Sequence, residues 1–128
     1  MIIYTSGPIT GIPDKNKKSF QAAQNEVASI FKTNKTKEKA KIINPVKIGI
    51  KLDKVFAAAG KEPLWEDYMR VCIKELCDAS YVLFLTNWGN SEGAVFERHI
   101  ANRLKIPCAE NTQELSKLIY ISSCNTTK

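Results

Sequence analysis

The segment from Tyr81 to Leu85 constrains the fold of this chain more than any other part of its sequence. It is a continuous apolar run, Tyr-Val-Leu-Phe-Leu. Such a run is typical of a strand that is buried on both faces, as in a parallel sheet. Parallel strands are joined by crossover connections, usually helices. The run therefore predicts that strands and helices alternate along the rest of the chain.

The spacing of apolar residues elsewhere predicts that alternation. Strands are expected at 2–5, 42–43, 81–85 and 106–109, and helices at 18–31, 63–77, 91–104 and 113–119. Residues 46–60 show no clear pattern, and their last part, residues 57–60, fits either a helical tail or a flexible loop. Pro63 suits a first helical position and Ser91 suits a helix cap. We expect a single flavodoxin-like (Rossmann-like) α/β domain, an open parallel sheet with helices on both faces.

Two packing predictions follow from the helical patterns. Phe96, Ile100 and Leu104 recur at helical spacing and are expected to face the core. Trp65 is expected on the packing face of its own helix.

Length and composition set the class of protein. The chain has 128 residues, of which 44% are hydrophobic and 25% charged. These values are typical of one globular domain, predicted over residues 1–121 with a polar tail at 122–128. No apolar run approaches the ~20 residues of a membrane-spanning helix. The N-terminus has no basic stretch typical of a signal peptide, so a cytoplasmic location and no membrane partner are expected.

The cysteines and the histidine argue against a metal site. Cys72, Cys77, Cys108 and Cys124 form no Cys-x-x-Cys pair, and the chain has one histidine. A structural zinc site would need closely spaced ligands of these types. We expect reduced thiols, no metal and no organic cofactor.

A lysine-rich stretch, 32–41, raises the question of nucleic-acid binding. The formal net charge is +6, and this stretch carries part of the excess. It lacks the interleaved aromatic residues on which single-strand binders stack bases. A solvated helix end and loop is therefore favoured over a nucleic-acid partner. The weaker alternative, a nucleic-acid-binding accessory, would show an affinity that falls steeply with salt.

Two loops should lie at the carboxyl ends of the strands, where ligands bind in open parallel sheets. The first, Ser6 to Gly11, carries two glycines that let a backbone approach a ligand closely. Its exposed amides suit an anion, but the loop matches neither a Walker motif nor Gly-x-Gly-x-x-Gly. A plain turn and a ligand loop both remain open.

The second loop leads into the helix that carries Glu97. Gly93 lies one helical turn before this residue, Ala101 one turn after it, and Ala94 beside it. Small residues around one carboxylate predict a notch, which opens toward the helix N-terminus, a favourable place for an anion. The alternative is that the small residues only allow close packing and that Glu97 is solvated.

The order of several short motifs resembles the nucleoside 2-deoxyribosyltransferase superfamily. The matching pieces are Tyr4 to Gly11, Asp67 to Arg70, Cys77-Asp78 and the Ser91-x-Gly-Ala-x-x-Glu97 segment. The chain resembles the small DUF4406-type branch of that superfamily, to which 2'-deoxynucleoside 5'-phosphate N-glycosidases are related. The resemblance covers roughly residues 1–108.

The resemblance implies roles for individual residues. Glu97 corresponds to the nucleophile that attacks C1' of the sugar and forms a glycosyl ester, and Tyr4 to the tyrosine that holds this carboxylate. Ser91 corresponds to the serine that contacts phosphate in the 5'-phosphate hydrolases. The loop after the first strand corresponds to a loop that lines the nucleotide pocket. The expected substrate contacts are Ser6, Gly7, Pro8, Ile9, Gly11, Arg70, Asp78, Trp88, Ser91 and Gly93.

The chain also departs from the pattern of this superfamily. Arg70 stands where the family has an aspartate that contacts the base, and Asp67 is the substitute acid that we expect to protonate the leaving base. The transferases complete each site with residues of a neighbouring subunit, which implies a homo-oligomer. The expected function is cleavage or transfer of the N-glycosidic bond of a nucleoside or nucleotide. The alternative is a nucleotide-binding sensor or sequestering protein without turnover, which Arg70 favours.

Overall fold

The computed structural model describes residues 1–33 and 39–125, with strands and helices in alternation. The strands are β1 (Ile2–Ser6), β2 (Lys41–Ile43), β3 (Tyr81–Phe84) and β4 (Cys108–Ala109). The helices are α1 (Lys17–Thr33), α2 (Pro45–Ala58), α3 (Trp65–Cys77), α4 (Glu92–Arg103) and α5 (Thr112–Asn125). Two short 3₁₀ turns, Pro13–Asn16 and Trp88–Asn90, precede α1 and α4.

The four strands form one parallel sheet in the order β2-β1-β3-β4. Tyr4 lies in register with Ile43 on one side and Val82 on the other. The chain moves from β1 outward to β2, then returns past β1 to reach β3. The switch point therefore lies between β1 and β3, and a ligand crevice is expected at their carboxyl ends. The open parallel sheet predicted from the sequence is confirmed.

Helices cover both faces of the sheet, as predicted. On one face, α1 and α5 bury Phe20, Val27 and Leu115 against Ile3 and Leu83. On the other face, α3 and α4 contribute the buried residues of a second cluster, which packs against β1 and β3. The members of that cluster are Tyr4, Ile43, Cys72, Leu76, Val82, Phe84 and Ala101. Every residue of β3 is buried, as its apolar run predicts.

The structure shows the conformation of residues 46–60, and it places the start of α3 and the end of α5 later than predicted. Residues 46–60 are mostly helical, because the Asn44 side chain caps α2 by accepting a hydrogen bond from the Val46 amide at 3.0 Å. The next helix begins at Trp65 and not at Pro63, since Leu64 is extended and its amide donates to the Asp67 carboxylate. The last helix continues to Asn125, beyond the predicted end near residue 119.

The predicted core face of α4 is wrong for two of its three residues. Phe96 is 46% exposed and Leu104 is 53% exposed, although Ile100 does pack against the core. The buried stripe consists instead of Ala94, Glu97 and Ala101. Two alanines let the helix lie close to the sheet, and hydrogen bonds satisfy the carboxylate between them. The interpretation that Glu97 is solvated is therefore also wrong. Trp65, 44% exposed, is only partly on a packing face.

The remaining predictions concern membrane spans, metal ligands, thiols, the lysine-rich stretch and the C-terminal tail. Among the described helices, none has the length and apolar character needed to cross a membrane. The same residues hold no group of three histidine, cysteine or acidic side chains placed to bind a metal. Cys72, Cys77 and Cys108 are free thiols. Half of the lysine-rich stretch, residues 34–38, and the end of the tail, residues 126–128, lie outside the described residues.

Candidate functional site

Glu97 lies at the centre of the candidate site, with its carboxylate directed from α4 toward β1. The residue is 5% exposed. The Tyr4 hydroxyl donates a hydrogen bond to Oε2, and the Ser6 hydroxyl donates to Oε1 at 2.9 Å. Both donors point to the same face of β1, because alternate residues of a strand share a face. The strand therefore holds both oxygens of this carboxylate in a fixed position.

Burial and hydrogen bonding act on the ionisation of Glu97 in opposite directions. Burial raises the pKa of Glu97 to about 7, and the hydrogen bonds from Tyr4 and Ser6 limit that rise. Burial and the neighbouring carboxylate hold the pKa of Tyr4 well above its usual value, so this hydroxyl stays a donor. Cys72 lies in the same cluster, and burial raises the pKa of its thiol to about 12. The carboxylate is thus the ionisable nucleophile that this cluster offers near neutral pH.

A small cavity of about 30 Å³, here called the inner cavity, opens onto Glu97. Its lining joins the β1 loop, the start of α2, the first turns of α3 and the first turns of α4. The lining residues are Gly7, Ile9, Thr10, Pro45, Trp65, Tyr68, Met69, Ser91, Gly93, Ala94 and Glu97. Gly93, Ala94 and Glu97 therefore form the notch that the sequence predicts, whereas Ala101 packs in the core.

Two glycines of the inner cavity lie in tight surroundings. A Cβ atom on Gly7 would lie 2.9 Å from the Cβ of Leu85, so either the loop after β1 or Leu85 would have to shift. A Cβ atom on Gly93 would lie 3.3 Å from the Met69 sulfur. The small size of Gly7 therefore allows the loop to approach the sheet closely, and that of Gly93 leaves room for the Met69 side chain.

Ser91 caps α4 at the rim of the inner cavity. Its hydroxyl oxygen accepts a hydrogen bond from the Ala94 amide at 3.2 Å, as predicted for a helix cap. The hydroxyl keeps its own proton as a donor. The positive end of the α4 dipole lies at the same point. This corner of the cavity therefore favours a hydroxyl or an anion.

A larger cavity of about 320 Å³, here called the outer cavity, shares lining residues with the inner one. The shared residues are Ile9, Thr10, Pro45, Trp65 and Tyr68. The others are Lys15, Val46, Gly49, Leu52, Asp53, Pro63 and Leu64. Its walls are mostly apolar, and Lys15 Nζ and Asp53 Oδ2 form an ion pair at 2.9 Å beside it.

Sequence reasoning missed the residues of α2 and the turn before α1. Asn44-Pro45 follows β2, so the rule that ligands bind at the carboxyl ends of strands was sufficient to identify Pro45. Lys15 and Asp53 are far apart in sequence and lie in no motif, and nothing in the sequence alone pairs them.

Asp67 and Arg70 do not line the inner cavity. One oxygen of the Asp67 carboxylate accepts a hydrogen bond from the Leu64 amide at 2.9 Å and caps α3. Arg70 is exposed, on the outer surface of α3 near Trp65 and Phe96. Neither side chain lies where the sequence interpretation placed it, because the Asp67 carboxylate caps α3 and Arg70 lies on the outer surface of that helix.

Five other predicted contacts also lie outside the lining of the inner cavity, and of these Ser6 contacts Glu97 directly. Asp78 is the exposed residue that ends α3, on the amino side of β3 and so away from the ligand edge. Trp88 packs on the Phe84 ring, with 5.1 Å between centroids, and its Nε1 donates to Glu110 at 3.0 Å. Gly11 is exposed with φ of +79°, which makes it a turn residue. Pro8 is buried, and its carbonyl accepts from Asn16.

Fold and site together define a single-domain α/β protein with a buried carboxylate at the carboxyl edge of a parallel sheet. The family model described as "Domain of unknown function (DUF4406)" matches residues 1–109, and the chain belongs to this family. Comparison with curated proteins and with solved structures gave no match.

Proposed function

We propose that this protein cleaves or transfers the N-glycosidic bond of a (deoxy)nucleoside or of its 5'-monophosphate, with Glu97 as the nucleophile. The observation that carries the proposal is the buried carboxylate that two hydroxyl donors hold beside the inner cavity, which shares five lining residues with the outer cavity. The motif resemblance to nucleoside 2-deoxyribosyltransferases supports the same assignment. Carboxylates perform this chemistry in retaining glycosidases.

The reaction has two displacements at C1' of the sugar. In the first, a Glu97 oxygen forms an ester bond to C1' while the bond from C1' to the base nitrogen breaks. The electron pair of that bond stays on the base, which takes up a proton. In the second, water or another base attacks C1', loses a proton, and releases the Glu97 carboxylate. The two inversions give net retention at C1'.

The side chains around Glu97 suit these steps. The hydrogen bonds from Tyr4 and Ser6 fix the carboxylate in one orientation, which lowers the cost of reaching an attack geometry. The desolvated carboxylate is a stronger nucleophile than an exposed one. Ser91 and the α4 N-terminus are placed to contact a sugar hydroxyl or a 5'-phosphate.

A second candidate is a nucleotide-binding protein without turnover. It is favoured by the position of Asp67, which caps α3 and does not line the inner cavity. Among the described residues that line the inner cavity, Glu97 is the one carboxylate. On this hypothesis Glu97 would bind a sugar hydroxyl, and no base would be released.

Release of free base from a panel of deoxynucleosides and their 5'-monophosphates tests the proposal. Wild type should release base, and Glu97→Gln should reduce the rate by at least about a thousandfold, as expected for loss of a nucleophile. Glu92→Gln is the control, since Glu92 is an exposed residue in the first turn of the same helix. Equal release by wild type and Glu97→Gln would remove the proposal, and nucleotide binding without release would favour the second candidate.

A further inference from the structure

The outer cavity has no role in the bond-breaking steps, although it is the larger part of the cleft. Its volume of about 320 Å³ falls within the roughly 300–1,000 Å³ of small-molecule pockets. Apolar side chains form most of the lining, with the rings of Trp65 and Tyr68 at the junction with the inner cavity. A flat, mostly apolar group fits walls of this kind.

Lys15 and Asp53 are the charged residues among the described residues that line this cavity. They join the turn before α1 to α2 across 38 residues of sequence. The side chains remain 53% and 47% exposed. An ion pair so exposed contributes about 0–1 kcal/mol to stability. Stability alone therefore gives little reason for a charged pair beside an apolar cavity.

The backbone that carries Lys15 is strained. Asp14, Lys15 and Asn16 have φ values of 54°, 54° and 61°. Left-handed backbone costs roughly 1–2 kcal/mol for each residue other than glycine, somewhat less for Asn and Asp. The strain energy of these three residues together is larger than the stabilisation that one exposed ion pair provides. Strained backbone of this kind is concentrated at ligand clamps and switch regions.

The pair presents complementary hydrogen-bonding groups side by side. Lys15 Nζ donates, and the Asp53 carboxylate accepts, with Oδ1 left outside the 2.9 Å contact to Lys15. A nucleobase has flat apolar faces and an edge on which a donor N–H stands next to an acceptor nitrogen or oxygen. An apolar slot with one donor and one acceptor beside it matches both features.

We propose that the outer cavity binds the base of the substrate and that Lys15 and Asp53 hydrogen-bond to its polar edge. The inference rests on the proposed function, because a base in the outer cavity is joined to the sugar carbon that Glu97 attacks from the inner cavity. It assigns base recognition to the strained turn and α2, and leaves Asp67 as a helix cap.

Calorimetric binding to the Glu97→Gln protein, which should not turn over, tests this assignment. The probes are the four common 2'-deoxynucleosides and, as the ligand without a base, 2-deoxyribose. Asp53→Asn and Lys15→Gln, each added to Glu97→Gln, should weaken the best-binding nucleoside by about tenfold, the effect of one charge-assisted hydrogen bond. Binding of 2-deoxyribose should not change. Asp14→Asn is the matched control, because Asp14 lies in the same turn but does not line the cavity.

An exchange of the two charges separates recognition from a purely structural role. The double variant Lys15→Asp with Asp53→Lys restores an ion pair between the turn and α2 but reverses the donor and the acceptor. It should keep the thermal stability of the parent and bind the nucleoside as weakly as the single variants. Binding equal to the parent would show that the pair only fastens the turn, and would overturn the assignment.

The remaining outcomes distinguish this inference from the proposed reaction. Asp53-dependent nucleoside binding without base release by wild type would remove the reaction and keep the base site. Glu97-dependent base release, with Asp53→Asn and Lys15→Gln binding as tightly as Asp14→Asn, would keep the reaction and remove the base site. Failure of every deoxynucleoside to bind at millimolar concentration would also overturn the base site.

Discussion

The inner and outer cavities differ in how their polar groups are held. Glu97 is buried and accepts hydrogen bonds from two residues of the central strand β1. The pair formed by Lys15 and Asp53 is half exposed, and Lys15 sits on a strained turn. Side chains on a paired strand are fixed by the sheet, whereas a turn can move without breaking it. The cleft thus combines a rigid inner end with an adaptable outer end.

The largest expected effect tests the burial of Glu97. Its pKa is about 7 in the folded protein and 4.5 as the ordinary value. Between these values the native state binds more protons than the unfolded state, so the free energy of unfolding falls as pH rises. A glutamine at position 97 has no proton to lose, so the free energy of unfolding of the Glu97→Gln protein should not decrease in this way. Urea unfolding should show the variant gaining about 3 kcal/mol over wild type from roughly pH 4 to roughly pH 8.

Glu92→Gln serves as the control for that experiment, because it makes the same substitution at an exposed position of the same helix. A Glu97→Gln protein whose stability relative to wild type is constant with pH would show that the carboxylate is not held in a desolvated position.

The next effect tests the rigidity of the loop after β1. Gly7→Ala places a methyl group 2.9 Å from the Leu85 Cβ, which forces the loop or β3 to move. We expect a loss of about 1–3 kcal/mol in the free energy of unfolding, typical of overpacking. Gly89→Ala is the control, because its added Cβ meets nothing within 4 Å. Equal stability of the two variants would show that the residues around Gly7 accommodate the added methyl group without loss of stability.

A smaller effect tests how Tyr4 sets the ionisation of Glu97. The Tyr4 hydrogen bond lowers the pKa of Glu97, so Tyr4→Phe should raise it above about 7. Base release needs the ionised carboxylate, and the acid limb of its pH profile should move to higher pH. At pH 7 the rate should fall by about tenfold, and part of it should return at higher pH. A uniform loss at every pH would assign Tyr4 a purely structural role.

The smallest effect concerns the outer cavity. Lys15→Gln removes an exposed ion pair and should reduce the free energy of unfolding by less than about 1 kcal/mol. Lys18→Gln, an exposed lysine outside the cavity, provides the reference. A loss of several kcal/mol would show that the outer end is held as firmly as the inner end, and the contrast between the two cavities would fail.

The fold could be predicted from the sequence because the patterns that indicate its strands and helices are local. The run from Tyr81 to Leu85 indicates a doubly buried strand, and apolar spacing locates the helices around it. The core face of α4 was not accessible in the same way. Hydrophobicity favoured Phe96 and Leu104, but the hydroxyls of Tyr4 and Ser6 satisfy a buried carboxylate on the opposite stripe. Those hydroxyls come from a strand distant in sequence, and no local pattern contains them.

In the candidate site too, the features set by local spacing could be predicted, whereas those set by distant contacts could not. The notch of Gly93, Ala94 and Glu97 depends on helical spacing and was predicted correctly. Asp67 was placed by its position in a motif, and Trp88 by its position in the loop after the buried strand. Their contacts depend on the exact start of α3 and on a partner, Glu110, from beyond β4. The order of the motifs along the chain identified which segments come together. Which of their side chains face the cleft depends on tertiary packing.

The short outer strands limit how this protein can associate. β2 has three residues and β4 has two, so each edge of the sheet offers few unpaired backbone groups. Short edges give another chain little to pair with and reduce edge-to-edge aggregation. Strand addition is therefore a poor route to an assembly. The helices present a different kind of surface, because Trp65 of α3 and Phe96 of α4 border an exposed apolar groove.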